Sequence, residues 1–537
     1  MPTLTWLTRE ADLKRAQNAP YRLLESVPDL SYGEQNTENM LIQGDNLDAL
    51  KALLPFYAGR IKCIYIDPPF NTEQAFEHYD DNLEHSIWLA ILYPRLELLR
   101  NLLLEEGTIF VHIDDNELPY LIVLLDEIFG RRNRISLITF KQGAPTGHKA
   151  INPGLVTTTN YIAIYAKSKK NWKPNRVFTS RQRDKRYGQF IHNYEMNYVQ
   201  WKLITLNKAF AESLNMSAKD VKKRIGDEYN EQLNSFVITH AERVIREARP
   251  DYENVGESAK KMIDLSKQNP TEVFLLERAD YPNMYFKDGE RWLFYKDKLK
   301  EIDGELVAGE PLTNLWDDVL SNNLHNEGGV TFPKGKKPEG LIKRIMDLVT
   351  TTGDLILDSF LGSGTTCAVA HKMGRRYIGI EMGEHAVTHC VPRLKKVIEG
   401  EQGGISKAVN WQGGGGFRFY RLGDAVFDEA GKINAKIRFD TLAAHVWFCE
   451  TKTPLTKTSN SPLLGVHNDT AYYLLYNGIL GDKRPAGGNV LTGKLLKSLP
   501  QFEGPKIIYG ETSRLGAERL RSEGIVFKQI PYDIKAR

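Results

Sequence analysis

Short, wholly apolar runs alternate with longer amphipathic stretches from about residue 36 onward. MLIQGD at 40–45 and IKCIYID at 61–67 have the length and composition of strands buried on both faces. Between them NLDALKALLPFYAG repeats its apolar residues at three-to-four spacing, the period of a helix with one buried side. The alternation continues through HSIWLAILYPRLELLRNLLLEEG as a helix, GTIFVHID as a strand and ELPYLIVLLDEIFG as a helix, and it breaks after Gly130. It returns at Pro338, where EGLIKRIMDLVT predicts a helix, DLILD a strand, TTCAVAHKMG a helix and RYIGIE a strand. Buried strands joined by helices make a parallel sheet covered on both faces.

The expected fold class is therefore α/β, a doubly wound, mostly parallel sheet built from two segments of chain. Residues 1–35 read as a polar, helical lead-in, 36–130 as the first part of the core and 331–411 as the second. Residues 131–330 hold short strands such as NYIAIYAK, helices around 206–268 and loops rich in Asn and Gly, and read as an insertion. GGGG at 413–416 reads as a linker. Beyond it GFRFYRL, DTAYYLLYNG, GPKIIYG and GIVFKQI predict strands of a small α/β domain over 412–537.

Composition agrees with several domains. The 537 residues exceed one ordinary core, and 41% hydrophobic with 26% charged residues is a globular balance. No run of roughly 18 apolar residues occurs and the first residues lack a signal-peptide pattern, so the expectation is a cytoplasmic protein with no membrane partner. Cys63, Cys367, Cys390 and Cys449 are never in C-x-x-C spacing and read as small hydrophobes, not as metal ligands or a disulfide framework. The net charge of +3 says little, but residues 131–190 carry 14 Lys or Arg against one acid, Asp184. Arg181, Arg183, Lys185 and Arg186 crowd its end, and Phe140, Tyr161, Tyr165, Trp172, Phe178 and Tyr187 interleave it. A phosphate backbone attracts such a stretch through counterion release, so a nucleic-acid partner, double-stranded DNA included, is expected. A solvated basic face has the same composition.

Two motifs carry chemistry. LDSFLGSGTT at 357–366 joins a predicted strand to a predicted helix, and Gly362 and Gly364 let the backbone approach a ligand. Glu381 ends the next strand 19 residues after Gly362, where an acid can accept hydrogen bonds from ribose hydroxyls. Together they indicate an adenosine-containing cofactor. Gly364-Thr365-Thr366 lacks the lysine of a phosphate loop, and Cys367 stands where a dinucleotide fingerprint needs its third glycine, so ATP and hydride transfer are disfavoured. IDPPFN at 66–71 closes a strand, and Pro68 and Pro69 fix the backbone there. The Asp67 carboxylate and Pro68 carbonyl could accept both hydrogens of an amino group, leaving its lone pair aimed at an electrophile, while Phe70 stacks on the base. A Pro-rich turn that merely ends a strand is the competing reading.

IDPPF and LDSFLGSGTT together resemble the amino-group DNA methyltransferases, and their order, catalytic motif first, resembles the permuted β class. HSIWLAILYPRLELLRNLLLEEGTIFVHIDDNE and LDEIFGRRNRI further resemble the modification subunits of type III restriction systems. The likeness covers roughly residues 36–400. It implies a circularly permuted, Rossmann-like methyltransferase sheet with an inserted target-recognition region, and S-adenosylmethionine as donor. By resemblance Asp358, Phe360, Gly362 and Gly364 line the methionine side, Glu381 holds the ribose and Asp45 sits beside the adenine. A lone Gly-Asp is equally often a helix N-cap. FPKGKKPEGL at 332–341 resembles the segment that closes over the cofactor, with Lys337 and Pro338 matching its Lys-Pro pair. The family often has Tyr where Phe70 stands.

The implied reaction is direct attack of an adenine amino nitrogen on the methyl group, with no cysteine nucleophile. His385 and His389, four apart on a predicted helix, read as structural because no third ligand is evident. Cytosine-N4 methylation uses the same logic, and Asp67 tilts the reading toward adenine because the family's cytosine enzymes more often carry Ser there. An RNA or protein methyltransferase is disfavoured by the basic insertion. The chain could instead serve mainly as a DNA-recognition subunit for a separate ATP-driven nuclease. The likeness also implies a homodimer and a separate restriction subunit, since no helicase or nuclease motif is visible.

Overall fold

The computed structural model describes residues 3–71, 84–143, 154–319, 324, 327–332, 335–427, 432–455, 461–530 and 532–534. The chain divides into two compact units, one of Met1–Asn175 with Thr313–Arg537 and the other of Arg176–Leu312.

The first unit is built on an 11-stranded sheet. In chain order its main strands are β1 (Arg22–Ser26), β2 (Met40–Gln43), β3 (Ile61–Ile66), β4 (Leu103–Ile113), β5 (Arg134–Lys141), β6 (Thr159–Ala166), β7 (Leu315–Trp316), β8 (Leu355–Asp358), β9 (Arg376–Glu381) and β10 (Gly416–Ala425). They lie in the order β1-β10-β2-β9-β8-β3-β4-β6-β5-β7. From β10 to β4 every neighbouring pair is parallel. β6 is antiparallel to both β4 and β5, and β1 is antiparallel to β10. Helices α1 (Asn46–Tyr57), α2 (His85–Leu102), α3 (Glu339–Val349) and α4 (Thr365–Lys372) supply the crossovers that parallel strands require. The doubly wound, mostly parallel sheet expected from the apolar runs is present. All of β8 is buried, and so is nearly all of β3.

Four boundaries differ from the sequence reading. β5 and β6 belong to this sheet, so the second compact unit begins at Arg176 and not near residue 131. Their alternation is that of any antiparallel pair, and the connection between them hides the pairing from a local reading. At the other end the second unit closes at Leu312. β10 likewise lies between β1 and β2 and not in a terminal domain. The glycines before it form a close-packed turn and not a linker: a Cβ on Gly416 would stand 2.3 Å from the Glu34 nitrogen, and one on Gly413 2.8 Å from the Ile398 oxygen. The lead-in is only partly helical, a helix at Arg9–Asn18 followed by β1.

The last stretch forms a four-stranded sheet of Leu463–His467, Thr470–Leu474, Lys506–Gly510 and Ile525–Gln529. The helix Phe439–Thr451 buries Leu442, Val446 and Phe448 in the same apolar cluster as Leu50 and Leu53 of α1. That continuity makes this stretch part of the first unit. Among the described residues no helix is long and apolar enough to cross a membrane.

The second unit holds a six-stranded sheet, in the order Leu203–Thr205, Gln189–Ile191, Val244–Ala248, Glu290–Phe294, Met284–Lys287, Phe274–Leu276, with every pair antiparallel. Its helices Leu206–Ser213 and Tyr229–Thr239 bury Phe210, Leu233 and Val237 with Tyr187, Phe190 and Val244.

Candidate active site

β8 leads through α4 to β9 on one side, and β3 leads through α2 to β4 on the other. The winding therefore reverses between β8 and β3, and the crevice beyond their carboxyl ends is where open α/β sheets hold ligands. Asp45, Glu381, Asp358 and Asp67 stand at or just past the ends of the adjacent strands β2, β9, β8 and β3. Strands lie about 4.8 Å apart, so the four acids share about 15 Å of one edge.

Asp67, Lys337, Asp358, Phe360 and Gly362 line one pocket of about 50 Å³, together with Tyr65 and Gly335. The Lys337 ammonium donates to the Asp67 carboxylate and lies 5.0 Å from the centre of the Phe70 ring. Asp358 is buried, its Oδ1 accepting from the Phe360 nitrogen at 2.9 Å and its Oδ2 from the Thr366 hydroxyl at 2.6 Å. Burial pushes its pKa up to about 7 against the pull of those donors, and the charges of Asp67 and Glu381 push the same way.

The Gly-rich turn is held from several sides. Glu381 accepts from the Gly362 nitrogen at 2.7 Å and from the Gly383 nitrogen at 3.2 Å, and the Cys390 thiol donates to the Gly362 carbonyl at 3.1 Å. Gly364 caps α4 at φ +83, with a Cβ there meeting only ordinary contact, 3.4 Å from Cys390. Its need for glycine is conformational. Gly364→Val is therefore expected to cost roughly 1–3 kcal/mol of local strain and to weaken donor binding severalfold or more, as read by calorimetry. Donor binding at wild-type strength would show that the turn does not hold the donor.

Other side chains position the IDPPFN segment. The Trp88 indole donates to the Pro69 carbonyl at 2.8 Å. Asn71, in the left-handed region at φ 58, donates to Glu117 at 2.7 Å, and His85 meets the same oxygen at 3.0 Å. Behind Phe70 lies the buried His112, 5.6 Å between ring centres, bonded to the Tyr65 hydroxyl at 2.9 Å. Burial first, and then the Lys337 charge, push the His112 pKa well below its usual value, so this imidazole is neutral. Sequence reasoning missed these supports. Only His112 left a signal, an imidazole inside an otherwise apolar strand.

Asp45 does not line the pocket. It caps α1, accepting from the Leu47 nitrogen at 2.7 Å, and pairs with Arg95 at 3.1 Å. His385 and His389 flank the Phe332 ring at 5.4 and 5.2 Å. Cys63, Cys367 and Cys390 are buried, and Cys449 is half-buried.

The basic stretch is divided between the two units, residues 131–175 in the first and 176–190 in the second, and residues 144–153 lie outside the described residues. Phe140, Tyr165 and Tyr187 are core residues and offer no stacking face. In the second unit Lys185 is exposed, Arg186 binds Asp184 at 2.7 Å, Arg183 donates to Asn234 at 3.1 Å and Arg181 faces Glu310 at 3.9 Å.

A family model described as DNA methylase matches residues 61–391, spanning both motifs and the segment between them. Over 423 residues the chain is 37% identical to a probable type III restriction-modification enzyme HindVI Mod subunit of Haemophilus influenzae, covering 74% of this chain and 55% of that protein. It is 28% identical over 429 residues to the EcoPI Mod subunit of Escherichia phage P1, covering 69% of this chain and 61% of that protein. The chain thus spans little more than half the length of these relatives. Among solved structures the cytosine-N4-specific PvuII DNA methyltransferase aligns with a TM-score of 0.32 and 13% identity, over 70% of this chain and 95% of that one. That score is too low to add to the strand order seen directly. The family match covers well over half of the sequence and contains the whole crevice between β8 and β3, and on that ground the chain belongs to the N6/N4 DNA methylase family.

Proposed function

We propose that this chain transfers a methyl group from S-adenosylmethionine to the N6 amino group of an adenine turned out of duplex DNA. The observation that carries the reading is the meeting of Asp67, Phe70, Asp358 and the Gly-rich turn at one reversal point of the sheet. Their chemistry fits this donor. Asp358, Asp67 and Glu381 make an acidic edge that repels phosphates but suits a ligand carrying an ammonium and a sulfonium.

Asp358, Phe360, Gly362, Gly364 and Glu381 would hold the donor, with Asp45 and Lys337 at its margins. The bound donor supplies an electrophilic methyl group. Asp67 and the Pro68 carbonyl accept the hydrogens of the target amino group, the neighbouring Pro69 and Trp88 fix that backbone, and Phe70 stacks on the base. Asp67 then holds the proton that the amino nitrogen gives up. Incubating DNA with labelled donor and identifying the modified base tests the reading. N4-methylcytosine in place of N6-methyladenine would move the target to the second base that the family name covers, and label only in RNA or protein would overturn it.

Donor binding should depend on pH. Asp358 is neutral below about 7, so the attraction for a cation fades there. Affinity is expected to be flat above that pH and to fall by up to about tenfold per unit below it, with a proton released on binding. Asp358→Asn should bind weakly with no such profile. A wild-type profile flat from pH 6 to 8 would remove Asp358 from the donor site.

By likeness to the Mod subunits the chain is proposed as the modification and specificity subunit of a cytoplasmic, type III-like restriction-modification system. It would act as a homodimer beside a separate restriction chain. Light scattering that finds only monomer at micromolar concentration would count against the dimer. The second unit, with Arg181, Arg183, Lys185 and Arg186, is proposed to supply sequence-independent DNA affinity. Alanine at all four should flatten the salt dependence by up to about 0.9 in log-log slope per phosphate contact truly made. Arg181 and Arg186 already face acids, so the change should fall short of four contacts. An unchanged slope in fluorescence anisotropy would remove this loop from the DNA interface.

A further inference from the structure

A cavity of about 550 Å³ lies wholly within the second unit, in the size range of sites for small organic ligands. Its floor is one face of the six-stranded sheet. Ala248 pairs with Arg291 and Arg291 with Phe286, and directly paired residues of antiparallel strands point to the same face. Leu293 follows Arg291 and Met284 precedes Phe286 by two residues, so both join that face. The wall is the loop after Ala248 and the first turn of the helix Glu257–Gln268.

The lining divides into two kinds of surface. Leu276, Met284 and Leu293 give an apolar floor above the buried Phe286, and Arg249, Arg278 and Arg291 give three guanidinium groups. Arg291 Nε is buried with no hydrogen-bond partner. Burial lowers the Arg291 pKa, and the next cause is the like charge of Arg278. An anion placed against both would relieve both costs. Arg278 uses Nε and Nη2 on the Pro282 carbonyl, at 3.0 and 2.7 Å, leaving Nη1 for a ligand, and Arg249 meets Glu290 only at 3.7 Å. The acids at the cavity already have partners: Asp251 accepts from Asn254 at 2.7 Å, and Glu257 pairs with Lys260 at 3.1 Å.

The geometry points to a site for a single nucleoside phosphate, its base on the partly exposed Leu276, Met284 and Leu293 floor and its phosphate against Arg278 and Arg291. Such a group has two sources, a free nucleotide or a nucleotide unstacked from DNA. The second source rests on the DNA methylase reading above, and the first does not.

The test uses the full chain saturated with S-adenosylhomocysteine, so that the donor site takes no probe. Thymidine 5′-monophosphate, thymidine and inorganic phosphate are titrated by calorimetry, and duplexes scanned with 2-aminopurine report unstacking. If the source is a free nucleotide, the monophosphate should bind more tightly than thymidine or phosphate, and Arg291→Gln and the partly exposed Arg278→Gln should each weaken it about tenfold or more. If the source is DNA, 2-aminopurine fluorescence should rise at a position other than the methylated adenine, and that second rise alone should vanish in both variants. Unchanged melting temperatures separate these effects from unfolding. Binding of neither kind, or binding indifferent to both substitutions, would overturn the proposal. Methyl transfer measured on the same samples reports separately on the reading of the first unit.

Discussion

Asp67→Ala is expected to lower methyl transfer by about 10²- to 10³-fold or more while donor binding changes little. The carboxylate is assigned to the amino group that is attacked, and the donor is assigned to the turn after β8. The loss should appear in kcat, because an acceptor that orients a lone pair acts as the bond to carbon forms. Lys337 complicates the comparison, since its ammonium bonds Asp67 and sits over Phe70. Removing Asp67 leaves that cation over the ring where the base should stack. Lys337→Met is therefore the companion variant: it keeps the carboxylate and removes its cation. If Lys337 merely competes with the target base, this variant should bind DNA with equal or higher affinity and keep measurable turnover. Quench-flow transfer assays and calorimetry on both variants separate the roles. Near-native turnover by Asp67→Ala would remove the IDPPFN segment from the chemistry.

How much of this was legible in the sequence depends on how local each signal is. The parallel core was legible because β3, β8 and β9 are short apolar runs buried on both faces. Asp67 and the Gly-rich turn were legible because proline and glycine leave a chemical reason at one place. β5, β6 and β10 were misplaced because pairing is not local: Thr139 bonds across to Asn314, and β10 enters between strands almost four hundred residues earlier. Asp45 held both readings, and the structure puts it at the cap of α1. The division of the basic stretch between two units was hidden for a related reason. Charge density along a chain does not say which sheet a residue joins, and three of its interleaved aromatics were needed as core.

The second large effect is expected behind the pocket lining, at Glu339. This residue opens α3 two positions after Lys337, and its side chain is fully buried with the side chains of Lys372 and Arg393, each 2.8 Å away. Burial alone would raise its pKa, but the charges of Arg393 and Lys372 outweigh burial and hold it below the usual value. Its contribution is therefore present above about 4.5, the ordinary glutamate value, and is lost as pH falls through the lower folded value. Glu339→Ala would leave two cations facing each other without water, a change that costs about 3–5 kcal/mol. Glu401 still bonds Lys372, so Arg393 takes most of the loss. Arg393 also donates to the Thr365 hydroxyl at 2.7 Å, at the start of α4. Loss of its anchor should loosen the Gly-rich turn, so donor affinity should fall with stability. Denaturant unfolding should show the lower midpoint, and Glu339→Gln should fall between the two proteins. A Glu339→Ala variant with an unchanged midpoint and normal donor binding would show that this buried triad neither holds the fold nor positions the turn.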